Sequence, residues 1–402
     1  MSTHAAELIA GAATRTQARP ITICHFTIAH TQRKSRSFHR EFVPLAAGGL
    51  GVRYVAPMHA GASPEGLEFV AWPPRTSRLR RALDLPSQLA TLLRQDAALY
   101  HFQDPQLLPL AFVLKLIFRK KVIYDAYEDF PSMAAAKRSI PRFLRPLAAG
   151  VVALLERLAA LCFDGLMTAD PFTLRRLARC GKCSKLVFYN FPNLDFFPPP
   201  RADREKQFDV VYRGGLSERT GIHSLLEAAR LLKAHRLLGL RSRPLRLLLL
   251  GYFDDAAAEH DLRARIRVLG LESNVEIRGR IEHEEMAEAL ADARIGVCPL
   301  QPVRKFRLNI PVKIFEYWAC GLPVVATDLP PIRPFLRHGR GGFLVEPGNA
   351  GELARHIAWL LDHPDEAARM GRDGRELVAQ RFNNSREVHK LRAFCARLAA
   401  GR

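Results

Sequence analysis

Two short stretches of the chain carry residue types spaced for work on an anionic ligand. The first is Tyr212-Arg-Gly-Gly-Leu-Ser-Glu-Arg-Thr-Gly221. An apolar run ends, two glycines follow, and helical spacing resumes just after Gly221. Backbone N–H groups at Gly214 and Gly215 can approach an anion closely, and the helix that follows adds partial positive charge at its N-terminus. Arg213 and Arg219 can add charge-assisted contacts to a diphosphate. An ordinary tight strand-to-helix turn would look the same. The second stretch runs from Pro311 through Lys313-Ile-Phe-Glu316 to Gly321 and Thr327. Lys313 and Glu316 are three residues apart and share a helix face, while Ile314 and Phe315 point elsewhere and pack. A carboxylate there can accept two hydroxyls of a ribose. A lysine in the first turn is poorly placed for the helix dipole unless it meets an anion. The competing reading is an ion pair between Lys313 and Glu316 on a solvated face.

Such residues need elements to hold them. Ile21–Phe26, Val52–Ala56, Ala97–Phe102 and Lys121–Tyr124 read as short buried strands, with helical spacing over Arg36–Ala47 between the first two. Pro192–Lys206 (PNLDFFPPPRADREK) reads as a linker. The theme then restarts. Strands are expected at Phe208–Tyr212, Leu245–Leu250, Val275–Arg278, Ile295–Pro299, Pro323–Thr327 and Gly342–Val345. Helices are expected near 222–238, 286–291, 314–320 and 350–361. Alternating strands and helices predict an α/β protein of two doubly wound units, with ligands outside the carboxyl ends of the strands and the site in the cleft between the units. The expected division is a leader over 1–20, a first domain over 21–195, a linker over 196–207, a second domain over 208–382 and a C-terminal helix over 383–402.

Composition bounds the reading. With 402 residues, 48% of them hydrophobic, the chain suits two domains and excludes wholesale disorder. Sixty basic against forty acidic residues give a net charge of +20. That favours anionic partners, whether nucleotide phosphates, nucleic acid or an anionic membrane face, and suits a basic solvated surface equally. No recognition-helix or RNA-binding motif accompanies the charge, so nucleic acid is not an expected partner. Only Cys180 and Cys183 form a C-x-x-C, half of a zinc site, and the seven scattered cysteines suggest reduced thiols in a cytoplasm. Met1–Pro20 shows no long apolar core, and no run is long enough to span a bilayer. The nearest to one are Leu107–Phe118, trailed by Arg119, Lys120 and Lys121, and Pro146–Leu166. Both read as buried or interfacial helices.

The second half resembles the nucleotide-sugar-binding domain of family 4 glycosyltransferases of the GT-B fold. The resemblance rests on Gly214-Gly-Leu-Ser, Gly251, Gly279-Arg280-Ile, Val297-Cys-Pro-Leu300, KIFEYWACGLPVVATD (313–328) and Gly342-Phe-Leu-Val-Glu-Pro-Gly348. The first half is similar to the acceptor-side domain at Arg36-Ser-Phe-His-Arg-Glu41, Tyr100–Pro109 and Val122–Pro131, in the manner of enzymes that build bacterial surface polysaccharides. The resemblance implies a retaining, metal-independent transferase that needs no cofactor. It would take a sugar from a UDP- or GDP-linked nucleotide sugar to a saccharide or lipid-linked acceptor. Gly214, Gly215, Arg219, Arg280, Lys313, Ile314 and Glu316 would bind the donor, with Glu316 on the ribose. Asp104, Tyr127 and Glu128 would be the catalytic, acceptor-side residues. The expected setting is cytoplasmic, with possible peripheral contact at the inner face of the membrane, where Leu107–Lys121 fits docking less well than it fits a core helix.

The sequence departs from that family at several points. The first glutamate of its Glu-x7-Glu falls at Leu308, and its two phosphate cations fall at Gly215 and Thr220. An acceptor-side histidine falls at Tyr127, another at Gln103, and an aspartate at Lys34. Arg213, Arg219, Lys305 and Lys313 are the cations that can compensate. A catalytically silent GT-B scaffold acting as a partner subunit, and more remotely a basic nucleic-acid-binding protein, are the alternatives.

Overall fold

The computed structural model describes residues 21–28, 37–57, 64–72, 85–137, 140–177, 183–200, 205–235, 244–281 and 285–401. The expected leader over 1–20, Lys34, Arg36 and Cys180 lie outside the described residues.

Short, largely apolar runs form the strands, and the inner ones are buried on both faces, as parallel sheets require. In the first domain these are β1 (Thr22–Phe26), β2 (Gly51–Pro57), β3 (Leu67–Trp72), β4 (Leu99–Phe102), β5 (Val122–Ala126), β6 (Gly165–Thr168) and β7 (Ser184–Val187). They pair in parallel in the order β3-β2-β1-β4-β5-β6-β7. The intervening helices are α1 (Val43–Ala47, after a π-helical turn at Phe38–Phe42), α2 (Leu85–Leu93), α3 (Leu108–Leu116), α4 (Phe130–Ala136), α5 (Arg145–Cys162) and α6 (Pro171–Leu177).

The second domain repeats the plan with β8 (Phe208–Gly215), β9 (Leu247–Tyr252), β10 (Val275–Arg278), β11 (Ala293–Cys298), β12 (Val324–Thr327) and β13 (Gly342–Val345). Their order is β10-β9-β8-β11-β12-β13, again all parallel. The helices are α7 (Ile222–His235), α8 (Ala256–Val268), α9 (Met286–Ala291), α10 (Lys313–Ala319), α11 (Ala350–Asp362), α12 (Pro364–Gln380) and α13 (Asn384–Ala399). Each sheet changes winding direction between its first and fourth strands, the position where open α/β sheets form a ligand crevice.

Two expectations change. The glycines after Tyr212 are still strand, because Gly214 and Gly215 keep their ladder positions against Gly251 and Tyr252. The linker is not a free tether: its Phe197 is buried in the second domain's core. The last helix, α13, returns to the first domain. Its Leu391, Phe394, Cys395 and Leu398 share a core with Ile23, Leu99, Ile123 and Met167. Lys121 Nζ closes its C-terminal end with 2.8 Å bonds to the carbonyls of Leu398 and Ala399.

Candidate functional site

A cleft of about 350 Å³ opens between the domains, within the range of small-ligand pockets. Tyr127 and Glu128 after β5, Asp170 after β6 and the Tyr189–Phe191 crossing form one side. Gly214 to Thr220, Tyr252, Asp254 and the Leu300–Phe315 stretch form the other.

The β8 turn is knit by its own hydroxyls. Thr220 Oγ1 donates towards the carbonyls of Gly215 at 2.8 Å and Ser217 at 2.7 Å, and accepts from Ser217 N at 3.2 Å. Tyr212 Oη reaches the Gly215 carbonyl at 2.8 Å. Thr220, standing where the resemblance expects a phosphate cation, is therefore a brace. Gly221 is left-handed at φ 79°, and a Cβ there would sit 1.7 Å from the Pro299 carbonyl oxygen. Only glycine lets this turn seat against the end of β11.

Helix α10 is bolted to the same turn. Tyr317 Oη accepts from Arg213 N at 2.8 Å and lies 3.2 Å from the Val297 carbonyl. Lys313 Nζ sits 4.2 Å from the centroid of the Tyr212 ring, and a Cβ at Gly214 would lie 2.9 Å from it. Among the described residues no carboxylate pairs with Lys313. The cation expected beside the glycines thus arrives from α10 rather than from position 215.

Glu316 differs from expectation. It is fully buried, outside the cleft lining, and so is not open to a ribose as the structure stands. Its Oε2 is 2.7 Å from Arg213 Nη1, and its Oε1 is 3.5 Å from Arg40 Nη2 of the first domain. Neither contact is aligned as a hydrogen bond, so both carboxylate oxygens lack a directed donor. Lys313 therefore does not pair with Glu316, and the anticipated ion pair between them is replaced by an arginine clamp.

The other expected residues divide. Gly214, Gly215, Arg219, Tyr127 and Glu128 line the cleft. Arg219 is exposed and held at 3.0 Å by Asp254. Asp255 beside it caps α8, accepting from Ala258 N at 2.9 Å. Glu128 faces Lys305 across the cleft at 3.9 Å. Ile314 is core. Arg280 is exposed beyond β10, at the sheet edge and off the cleft, because β10 is the last strand of its sheet. Asp104 is also off the cleft: its Oδ2 accepts from Thr27 Oγ1 at 2.7 Å and from Ile28 N at 2.8 Å, which pins the loop after β1. It gives α3's leading turn no side-chain cap.

Beneath the first domain's side lies a buried polar cluster. Gln103 Nε2 donates to Asp125 Oδ2 at 2.7 Å and to Glu41 Oε1 at 3.3 Å, and the Nδ1 atoms of His25 and His101 are 2.9 Å apart. Ligand atoms of Glu41, His101 and Asp125 come within 4.8 Å of one another. The Gln103 amide, standing at an expected histidine, already serves both carboxylates. Burial lowers the His101 pKa to about 3. Burial raises the thiol of Cys298 to about 11 and that of Cys320 to about 12.

Residues 207–363 match the family model described as Glycosyl transferases group 1. That segment is similar to the glycosyl transferases of group 1. Among curated proteins, the chain is 29% identical over 188 residues to the putative glycosyltransferase EpsD of Bacillus subtilis, covering 47% of this chain and 45% of that one. It is 33% identical over 178 residues to the putative colanic acid biosynthesis glycosyltransferase WcaL of Salmonella typhimurium, covering 44% and 41%. The chain thus spans less than half the length of these relatives. Among solved structures, sucrose-phosphate synthase of Thermosynechococcus elongatus superposes with a TM-score of 0.73 at 19% identity, over 95% of this chain and all of that one. Anabaena HepE in complex with UDP and glucose superposes with a TM-score of 0.70 at 15% identity, over 94% and 99%. The fold is GT-B.

Sequence reasoning overlooked Tyr252, Asp170 and Asn190 in the walls of the cleft. Tyr252 had a usable signal, since it ends a strand beside Gly251 and ligands gather at such ends. Asp170 is consumed locally, accepting from Phe172 N, Thr173 N and Thr173 Oγ1.

Proposed function

We propose that the protein is a retaining glycosyltransferase that moves a sugar from a nucleotide sugar, UDP- or GDP-linked, to a saccharide or lipid-linked acceptor in cell-surface polysaccharide synthesis. The observation that carries the reading is Lys313: a cleft cation with no carboxylate partner among the described residues, pressed against the Gly214–Gly215 strand end. A diphosphate is the anion that suits it, with Arg219 at the rim. EpsD and WcaL, similar over this half, support the class of reaction.

Glu316 supports the ribose assignment in a conditional way. Two buried acceptor atoms without aligned donors are rare in folded proteins, and the two hydroxyls of a ribose would supply the donors. Arg213 must first release Glu316, and the diphosphate gives its guanidinium another anion. Tyr127 and Glu128 then face the acceptor hydroxyl. In a same-face substitution the C1–phosphate bond breaks with its electron pair going to the departing oxygen, the acceptor oxygen bonds C1, and the acceptor proton passes to that same phosphate oxygen. Basic side chains rather than a metal carry the phosphate charge in this reading, and no further cofactor is required. The setting proposed is the cytoplasm, at the inner face of the cell membrane.

Titration calorimetry with UDP, GDP and uridine tests the proposal. A diphosphate is expected to bind, and Lys313→Ala to weaken it by about 10- to 100-fold, the range of a charge-assisted hydrogen bond, with little change for uridine. No binding of any nucleotide, with Glu316→Ala and Lys313→Ala inert, would leave a silent scaffold.

A further inference from the structure

The large exposed apolar side chains are concentrated on one flank of the first domain. Helix α5 turns Glu156, Ala159 and Ala160 inward and packs on α3, α4 and α6. Its outward side carries Leu147, Val151, Leu154, Leu158 and Leu161, all exposed, with Leu147 at 64% and Leu154 at 56%. At 3.6 residues per turn these five fall in an arc of about 80°. The turn that leads into the helix adds Phe143 at 80% exposure, together with Leu144, and α4 adds Met133. The end of α3 adds Leu116, Ile117 and Phe118. Continuous exposed apolar surface of this kind marks an interaction face.

The charges on this flank decide the occupant. Between Phe130 and Cys162 the sequence has five basic residues, Lys137, Arg138, Arg142, Arg145 and Arg157, and one acid, Glu156. Glu156 is fully buried, 2.8 Å from Arg176 Nη1, and accepts from Tyr124. The neighbouring acid Asp164 is paired with Lys115 at 2.7 Å. Lys137, Arg142 and Arg157 are exposed, as is Arg119 after α3. A second copy would bring like charge against like, whereas an anionic lipid surface meets both the leucine stripe and the basic rim. Among the described residues no helix is long and apolar enough to cross a membrane, so α5 would lie along the surface.

We infer that the outer face of α5, with the Pro141–Leu144 turn, docks the protein on an anionic bilayer. Helix α4 starts two residues beyond Glu128 of the cleft, so docking brings the acceptor side of the cleft to the lipid rim. That last consequence rests on the proposed function; the docking face itself does not. Most of Leu107–Lys121 is core, as its sequence suggested, with Leu108, Leu110, Ala111 and Leu114 buried, and α5 carries the face.

The experiment is flotation of the full chain with vesicles of phosphatidylcholine alone or with phosphatidylglycerol added, without nucleotide. Binding is expected only with the anionic lipid and is expected to fall with salt. Leu147→Glu/Leu154→Glu and, separately, Phe143→Ser should each weaken it by about tenfold or more, with circular dichroism and nucleotide affinity unchanged. No binding to anionic vesicles, or undiminished binding by these folded variants, overturns the inference. So does sedimentation showing that the face forms a dimer that Leu147→Glu/Leu154→Glu dissolves. Loss of nucleotide binding in the unaltered chain would overturn the proposed function and leave this result standing.

Discussion

His101 resists protonation inside the first domain, and this fixes the sign of one contribution to stability. Burial holds its pKa at about 3, against an ordinary 6.5. The unfolded chain therefore binds a proton first on acidification, and stability drains away as pH falls from 6.5 towards 3. The drop attributable to this group reaches up to about 3 kcal/mol by pH 4.5. Thermal midpoints should fall between pH 7 and 4.5, and His101→Asn should fall less steeply; parallel curves would contradict the assignment. Single residues were also the level at which the sequence was least legible. The spacing of Lys313 and Glu316 marked the right helix, yet it could not tell that Arg213 and Arg40 converge on Glu316 from two other segments. Asp104 sits at a strand end like a functional acid, and its capture by Thr27 and Ile28 depends on a loop far off in sequence.

Elements were more legible, because buried strands and capped helices advertise themselves locally. Val275–Arg278, Met286–Ala291 and Gly342–Val345 emerge with the bounds that periodicity and flanking glycines imply. β3, β6 and β7 did not stand out: β3 and β7 edge the first sheet and mix polar with apolar residues, and β6 follows the apolar run of α5 with little to separate them. The turn after β8 supplies an element-scale prediction. Gly221→Ala meets the Pro299 carbonyl as well as a left-handed φ, and is expected to cost about 3 kcal/mol or more. Gly270→Ala has φ 63° with open space around it and should cost only about 1–2 kcal/mol. Denaturant midpoints of the two variants compare them directly, and equal losses would mean that the turn relaxes.

For the whole molecule, two doubly wound units facing a cleft followed from the restart of the strand–helix alternation after the prolines. What fastens the units together was not readable. Arg40 and Lys305 each cross from one domain to the other, onto Glu316 at 3.5 Å and Glu128 at 3.9 Å. Arg40 also donates to the Asn190 carbonyl at 2.9 Å in the crossing segment. Small-angle scattering should give Arg40→Ala/Lys305→Ala a larger radius of gyration than the unaltered chain at the same helical content. An identical radius would show that the crossing segment and α13 hold the domains unaided.

The return of α13 also orders events during synthesis. The leucines and phenylalanine that seal the first sheet are translated only after the entire second domain, so the earlier domain leaves the ribosome with an open seam. A nascent chain paused between the domains should stay protease-sensitive around β1 and β4 until α13 emerges to close it.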